Sequence, residues 1–153
     1  MPEAVYVDLD QYMGDWYVIA SIPAPFEKNS VNAVISYHWN EASKRIGVHY
    51  HHNEWEPTGR LKQTDQQAVI EDPVTNAEWT IQFLWPFKFA IKILEVSPDY
   101  SWSIVGNESQ SFAWILSRRP RLDDSTYQSL LDKLESWGYN LEKLRKVPQV
   151  WDV

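Results

Sequence analysis

The sequence predicts an all-β fold: an eight-stranded antiparallel up-and-down β-barrel with a C-terminal α-helix packed against its outside. Three observations lead there. Apolar residues recur at every second position in short segments along most of the chain. Clusters of Pro, Asp, Asn and Gly separate those segments at close intervals. The apolar period becomes helical only near the end.

The first strand is Trp16-Tyr17-Val18-Ile19-Ala20, apolar on both faces and preceded by a short leader. Pro23-Ala24-Pro25 ends it, because proline cannot donate to a ladder. Val31 to Trp39 alternates, with Val31, Ala33, Ile35, Tyr37 and Trp39 on one face and Asn32, Ser36 and His38 on the other. Asn40 to Lys44 is a turn, and Arg45 to His52 alternates again through Ile46, Val48 and Tyr50. The loop 53–59 leads to a polar strand over 60–70, where Leu61, Val69 and Ile70 share no parity, so a bulge is expected.

Asp72-Pro73 opens the next turn, and Glu78 to Trp85 alternates through Trp79, Ile81, Phe83 and Trp85. Pro86-Phe87 turns the chain into the run Lys88 to Val96. The last two strands are Trp102 to Val105 and Phe112 to Ser117. Tyr127, Leu130, Leu131, Leu134 and Trp137 then recur at helical spacing, with Asp123 as N-cap and Gly138 as an αL C-cap. Phe112 to Ser117 is apolar on both faces, as a strand between a core and a covering helix would be. The reading is one domain over 1–153, with the barrel at about 14–118 and the helix at about 123–137.

Bulk properties narrow the function. The net charge is −7 and no stretch clusters Lys and Arg, which argues against phosphate backbones and so against nucleic acid. With no Cys, disulfides, thiolate metal sites and Cys nucleophiles are excluded. Aromatic residues make up 14% of the chain, including nine Trp and eight Tyr, enough to line a cavity as well as fill a core. No charged–apolar–small leader and no membrane-length apolar run is present. The expected compartment is the cytoplasm, or the periplasm and outer membrane if a signal segment and lipidated Cys were removed.

Three segments carry a family resemblance: Gly14-Asp15-Trp16-Tyr17, Ser97-Pro98-Asp99-Tyr100-Ser101-Trp102, and Trp114-Ile115-Leu116-Ser117-Arg118. Together with Gly138-Tyr139-Asn140-Leu141 they resemble the lipocalins, most closely the bacterial outer-membrane lipoprotein branch related to apolipoprotein D. The likeness spans nearly the whole chain. It implies a calyx that binds fatty acids, lysophospholipids or similar hydrophobic molecules, with no cofactor and no catalysis. Relatives in that branch carry a lipidated Cys, which is absent here. Peripheral membrane association and a homodimer stay open.

Alternating strand direction puts Trp16 and Arg118 at one barrel end, where a cation–π contact of roughly 0.5–2 kcal/mol closes the base. Gly14, Asp99 and Tyr100 belong to the same structural motif. Strand parity gives the ligand-lining candidates Ile35, Tyr37, Val48, Tyr50, Ile81, Phe83, Trp102, Ile104 and Trp114. Phe26, Trp55, Trp85 and Phe87 fall in loops at the open mouth, with His52 nearby and Lys88 and Lys92 placed to meet an anionic head.

Two other readings compete. His49 and His51 with Glu56 resemble part of a cupin motif, a metal-dependent enzyme pattern, but the flanking glycines are missing or mis-spaced and no second His motif occurs. Since Ile46, Val48 and Tyr50 are the apolar set, His49 and His51 are expected to face solvent. The third reading is an interaction module whose barrel is filled by its own side chains.

Overall fold

The alternating segments form strands that close on themselves in the computed structural model, which describes residues 5–23, 29–84 and 87–151, with backbone alone at 83, 84 and 87. Helix α1 (Leu9–Tyr12) precedes the strands β1 (Gly14–Ile22), β2 (Ser30–Asn40), β3 (Arg45–Glu54), β4 (Leu61–Ile70) and β5 (Glu78–Leu84). Next come β6 (Phe87–Val96), β7 (Trp102–Gly106), β8 (Ala113–Ser117), helix α2 (Asp124–Ser136) and β9 (Arg145–Lys146). Each strand from β1 to β8 pairs antiparallel with its neighbours, and the β1–β8 pairing closes the barrel. A closed sheet has no edge to leave unpaired.

The two-residue strand β9 attaches to β1 at Ala20 and Ser21. The chain that follows docks on β2: Asn32 N–H donates to the Pro148 carbonyl at 2.8 Å, and the Asn32 side chain exchanges bonds with Val150. Asn32 has a left-handed backbone with φ 55°, and the β2–β3 register slips between Val31 and Val34. The clean alternation expected for β2 therefore holds from Ala33 onward.

The bulge expected over 60–70 is not there. β4 runs in continuous register with β3 from Leu61 to Ala68 and with β5 from Gln67 to Ile70. Its pattern is weak for another reason. Ala68 and Ile70 turn inward, whereas Leu61 and Val69 share the outer face and are exposed.

Two apolar layers result. The interior core includes Trp16, Ile35, Tyr37, Val48, Tyr50, Trp79, Ile81, Trp114 and Leu116. An outer layer joins Ile104, Ala113 and Ile115 of the sheet to Leu130 and Leu134 of α2. Asp123 caps α2 by accepting the Thr126 N–H, and Gly138 beyond its end has φ +93°.

Candidate ligand-binding site

The leader is the base of the cup. Asp8 caps the single turn of α1, and Val7 and Tyr12 are fully buried beneath the barrel. Tyr12, Trp16, Tyr37 and Trp79 are each at most 1% exposed, with ring centroids 5.0 to 5.8 Å apart along Trp16–Tyr12–Tyr37 and Tyr12–Trp79. Burial pushes the Tyr12 hydroxyl up, and also that of Tyr37, whose Oη has no hydrogen-bond partner among the described residues. The guanidinium carbon of Arg118 lies 3.7 Å from the Trp16 ring centroid.

Arg118 does more than stack. Nη1 donates to the Asp15 carbonyl at 2.8 Å, Nη2 to the Gln11, Tyr12 and Met13 carbonyls at 2.7, 3.1 and 3.0 Å, and Nε to the Tyr100 carbonyl at 3.3 Å. Without Arg118 the Gln11 and Met13 carbonyls at the end of α1 would lose a donor, whereas the Tyr12 carbonyl also accepts the Trp16 Nε1–H at 2.9 Å. Tyr100 sits at φ 56° beside Asp99, whose carboxylate accepts from Ser97 Oγ and Ser101 Oγ; its own Oη accepts the Asp8 N–H at 2.9 Å. Gly14 enters β1 at φ +102°, a left-handed conformation that favours glycine, and a Cβ there would lie 3.4 Å from Arg118 Nη1.

Above this floor the interior holds a chain of rings. Tyr50 stacks on Trp114 at 5.9 Å and 12°, Trp114 meets Phe112 at 5.0 Å, and Phe112 meets Phe89 edge-on at 4.9 Å. Tyr50, Ile81 and Trp114 retain 6–7% exposure, unlike the sealed rings below. His52 follows toward the mouth, 5.4 Å from the Tyr50 ring. It is 4% exposed, and burial lowers its pKa.

The Lipocalin-like domain family matches residues 7–149. The chain belongs to the lipocalin family. Its members are typically binding and transport proteins for small hydrophobic ligands. Temperature-induced lipocalin-1 of Arabidopsis thaliana is 32% identical, over 94% of this chain and 80% of its own length. The outer membrane lipoprotein Blc of Escherichia coli K12 is 24% identical over 93% and 79%, and apolipoprotein D of Bos taurus 28% over 94% and 77%. The plant protein is thus more similar to this lipocalin than the bacterial lipoprotein is. Among solved structures, lobster apocrustacyanin A1 matches with a TM-score of 0.71 at 18% identity, covering 93% of this chain and 79% of its own.

Within this lipocalin, Ile35, Tyr37, Val48, Tyr50, Ile81 and Trp114 face the interior, with the register pair Tyr37 and Val48 nearer the base than the pair Ile35 and Tyr50. Trp102 and Ile104 do not. In the register of β7 with β8, Val105 faces Trp114 and Ser103 faces Leu116, so Ser103 and Val105 turn inward. Trp102 and Ile104 turn outward against α2, where Lys133 Nζ lies 5.4 Å from the Trp102 ring centroid. A five-residue strand buried on both faces has no parity signal of its own. Only its pairing decides which side is inside.

Phe26 and Trp85 lie outside the described residues, as do the side chains of Phe83 and Phe87. Trp55 is 78% exposed in the β3–β4 turn. The two lysines assigned to an anionic head do not serve it. Lys92 is paired with Glu78 at 3.4 Å and with Glu108, and Lys88 opposite Gln82 is exposed on the outer face.

The cupin reading is set aside. His49 and His51 lie on the outer face of β3, their rings 5.7 Å apart, and His49 Nδ1 is 2.7 Å from an Asp65 carboxylate oxygen. Glu56 belongs to the following turn, and no group of three His, Asp or Glu among the described residues could hold a metal ion. Nothing in the comparisons supports that family.

Ser21, Ser30 and Arg145 were missed as inward-facing polar residues. A two-residue strand leaves no periodicity to detect, and Ser21 is placed inward only by the slip in the β1–β8 register between Val18 and Ala20.

Proposed function

We propose that this lipocalin carries one single-chain lipid, a fatty acid or a lysophospholipid-like molecule, its tail in the upper barrel and its polar head at the mouth. The observation behind this is the contrast within the interior: aromatic rings seal the base, while Tyr50, Ile81 and Trp114 above them keep residual exposure. Tyr37 and Val48, paired across β2 and β3, form the floor of the site, and Ile35, Tyr50, Ile81 and Trp114 its walls. An eight-stranded barrel has room for one small ligand and can bury most of its surface.

Titration with palmitate or palmitoyl lysophosphatidylcholine, read by tryptophan emission, tests this. Saturable quenching near one ligand per chain is expected. Trp114→Phe keeps a flat apolar wall, so affinity should change by less than about threefold while much of the quenching disappears. No saturable response to either lipid would reject the proposal.

A further inference from the structure

The upper inner wall carries an arc of polar groups, two of which, Ser21 Oγ and His52 Nδ1, have no hydrogen-bond partner among the described residues. Ser21 on β1 is the register partner of inward-facing Trp114; it is 1% exposed and its Oγ has no hydrogen-bond partner among the described residues. Arg145 on β9 pairs with Ser21 and so shares its face, and Val147, two residues on, belongs to the interior core. Arg145 Nη1 donates to the Ser30 carbonyl at 2.7 Å, with Ser30 Oγ at 3.4 Å. Among the described residues no carboxylate pairs with Arg145; the six ion pairs engage other groups.

His52 on β3 completes the arc, and its Nδ1 is buried without a partner among the described residues. The strands follow one another around the wall as β1, β9, β2 and β3, so Ser21, Arg145, Ser30 and His52 form one band beside the stacked Tyr50 and Trp114. The neighbouring Lys62 is neutralised by Glu54 at 3.1 Å, which leaves the guanidinium as the uncompensated charge of the band.

A buried polar atom without a partner costs free energy. Two such atoms flanking an unpaired guanidinium are explained together if a ligand supplies the missing acceptor. We propose that this arc is the head-group subsite of the lipid site and takes an anionic head, a carboxylate or a phosphate. Arg145 is the anchor, with Ser21 Oγ–H and the His52 Nδ1–H tautomer as flanking donors. Burial keeps the imidazole neutral near neutral pH, so it contributes a single donor and no second charge. A neutral alcohol head would leave the guanidinium without its counter-charge, which is the basis of selectivity.

The inference rests on the lipid-carrying function, and the test separates the two. Palmitate, palmitoyl lysophosphatidate and hexadecanol share one chain and differ in the head. Tryptophan titrations at fixed salt should show at least one anion binding about tenfold or more tighter than hexadecanol. A preference for palmitate alone identifies a carboxylate ligand, and one for lysophosphatidate alone a phosphate. Arg145→Gln should erase the preference while changing hexadecanol affinity less than about threefold, and Arg145→Lys should restore part of it. Ser21→Ala removes one flanking donor without touching the Arg145–Ser30 contact and should weaken only the anion. If Arg145→Gln does not fold, the three probes on the native chain and Ser21→Ala still decide. Hexadecanol binding as tightly as both anions, or an unchanged preference in folded Arg145→Gln, would overturn the subsite and leave the carrier function standing. Binding of none of the three would overturn both.

Discussion

Arg118 shows how much of the base depends on one side chain. Its planar fork meets five backbone carbonyls from α1, the start of β1 and the Tyr100 turn while its flat face covers Trp16. A lysine cannot reproduce that set of directions. Arg118→Ala should therefore destabilise the fold by about 3 kcal/mol, because the Gln11 and Met13 carbonyls closing α1 lose a donor and Trp16 loses its cover. Arg118→Lys should recover only a small part, both read by thermal or urea unfolding. The pairing of Trp16 with Arg118 could be anticipated from strand direction. That the same arginine caps α1 could not, because nothing in the alternating pattern announces a four-residue helix.

At the scale of elements, the terminal helix was legible and the strand beneath it was not. The stripe Leu130, Leu134 and its neighbours has a helical period and a clear N-cap, so its burial against β8 follows from the sequence. Leu134 is fully buried between α2 and the sheet, and Leu134→Ala should cost about 2–5 kcal/mol in unfolding free energy. Since that contact lies outside the barrel, lipid affinity should stay within about threefold of native. β7 was read with the wrong face inward because Trp102 and Ile104 are as apolar as an interior pair. Gly106 at its end marks the close approach of the C-terminal segment: a Cβ there would sit 2.1 Å from the Tyr139 hydroxyl.

For the whole molecule, the buried His52 and the half-buried His51 set a pH dependence. Burial lowers the pKa of both His51 and His52 from the ordinary value of 6.5, with the neighbouring His49 adding to the effect on His51. A group whose folded pKa is depressed binds fewer protons in the native state than in the unfolded one, so stability rises with pH across that interval. The contribution is fully present above 6.5 and is lost as pH falls below that value toward the folded pKa values. The melting temperature should be level from neutral pH upward and decline on acidification through this window. His52→Asn should make the decline shallower, and an equal slope in the variant would show that His52 does not contribute to it.

What the sequence determined by itself was the sheet, its closure, the base contact and the covering helix, because a period of two, turn residues and a period of 3.6 are local signals. The inward residues Ile35, Tyr37 and Val48 were readable for the same reason. The tertiary structure decided which face of β7 is inside, how the leader plugs the base, and how β9 brings Arg145 beside Ser21 and His52. Those depend on pairing between residues far apart in the chain, where a shift of one residue turns every side chain to the opposite face.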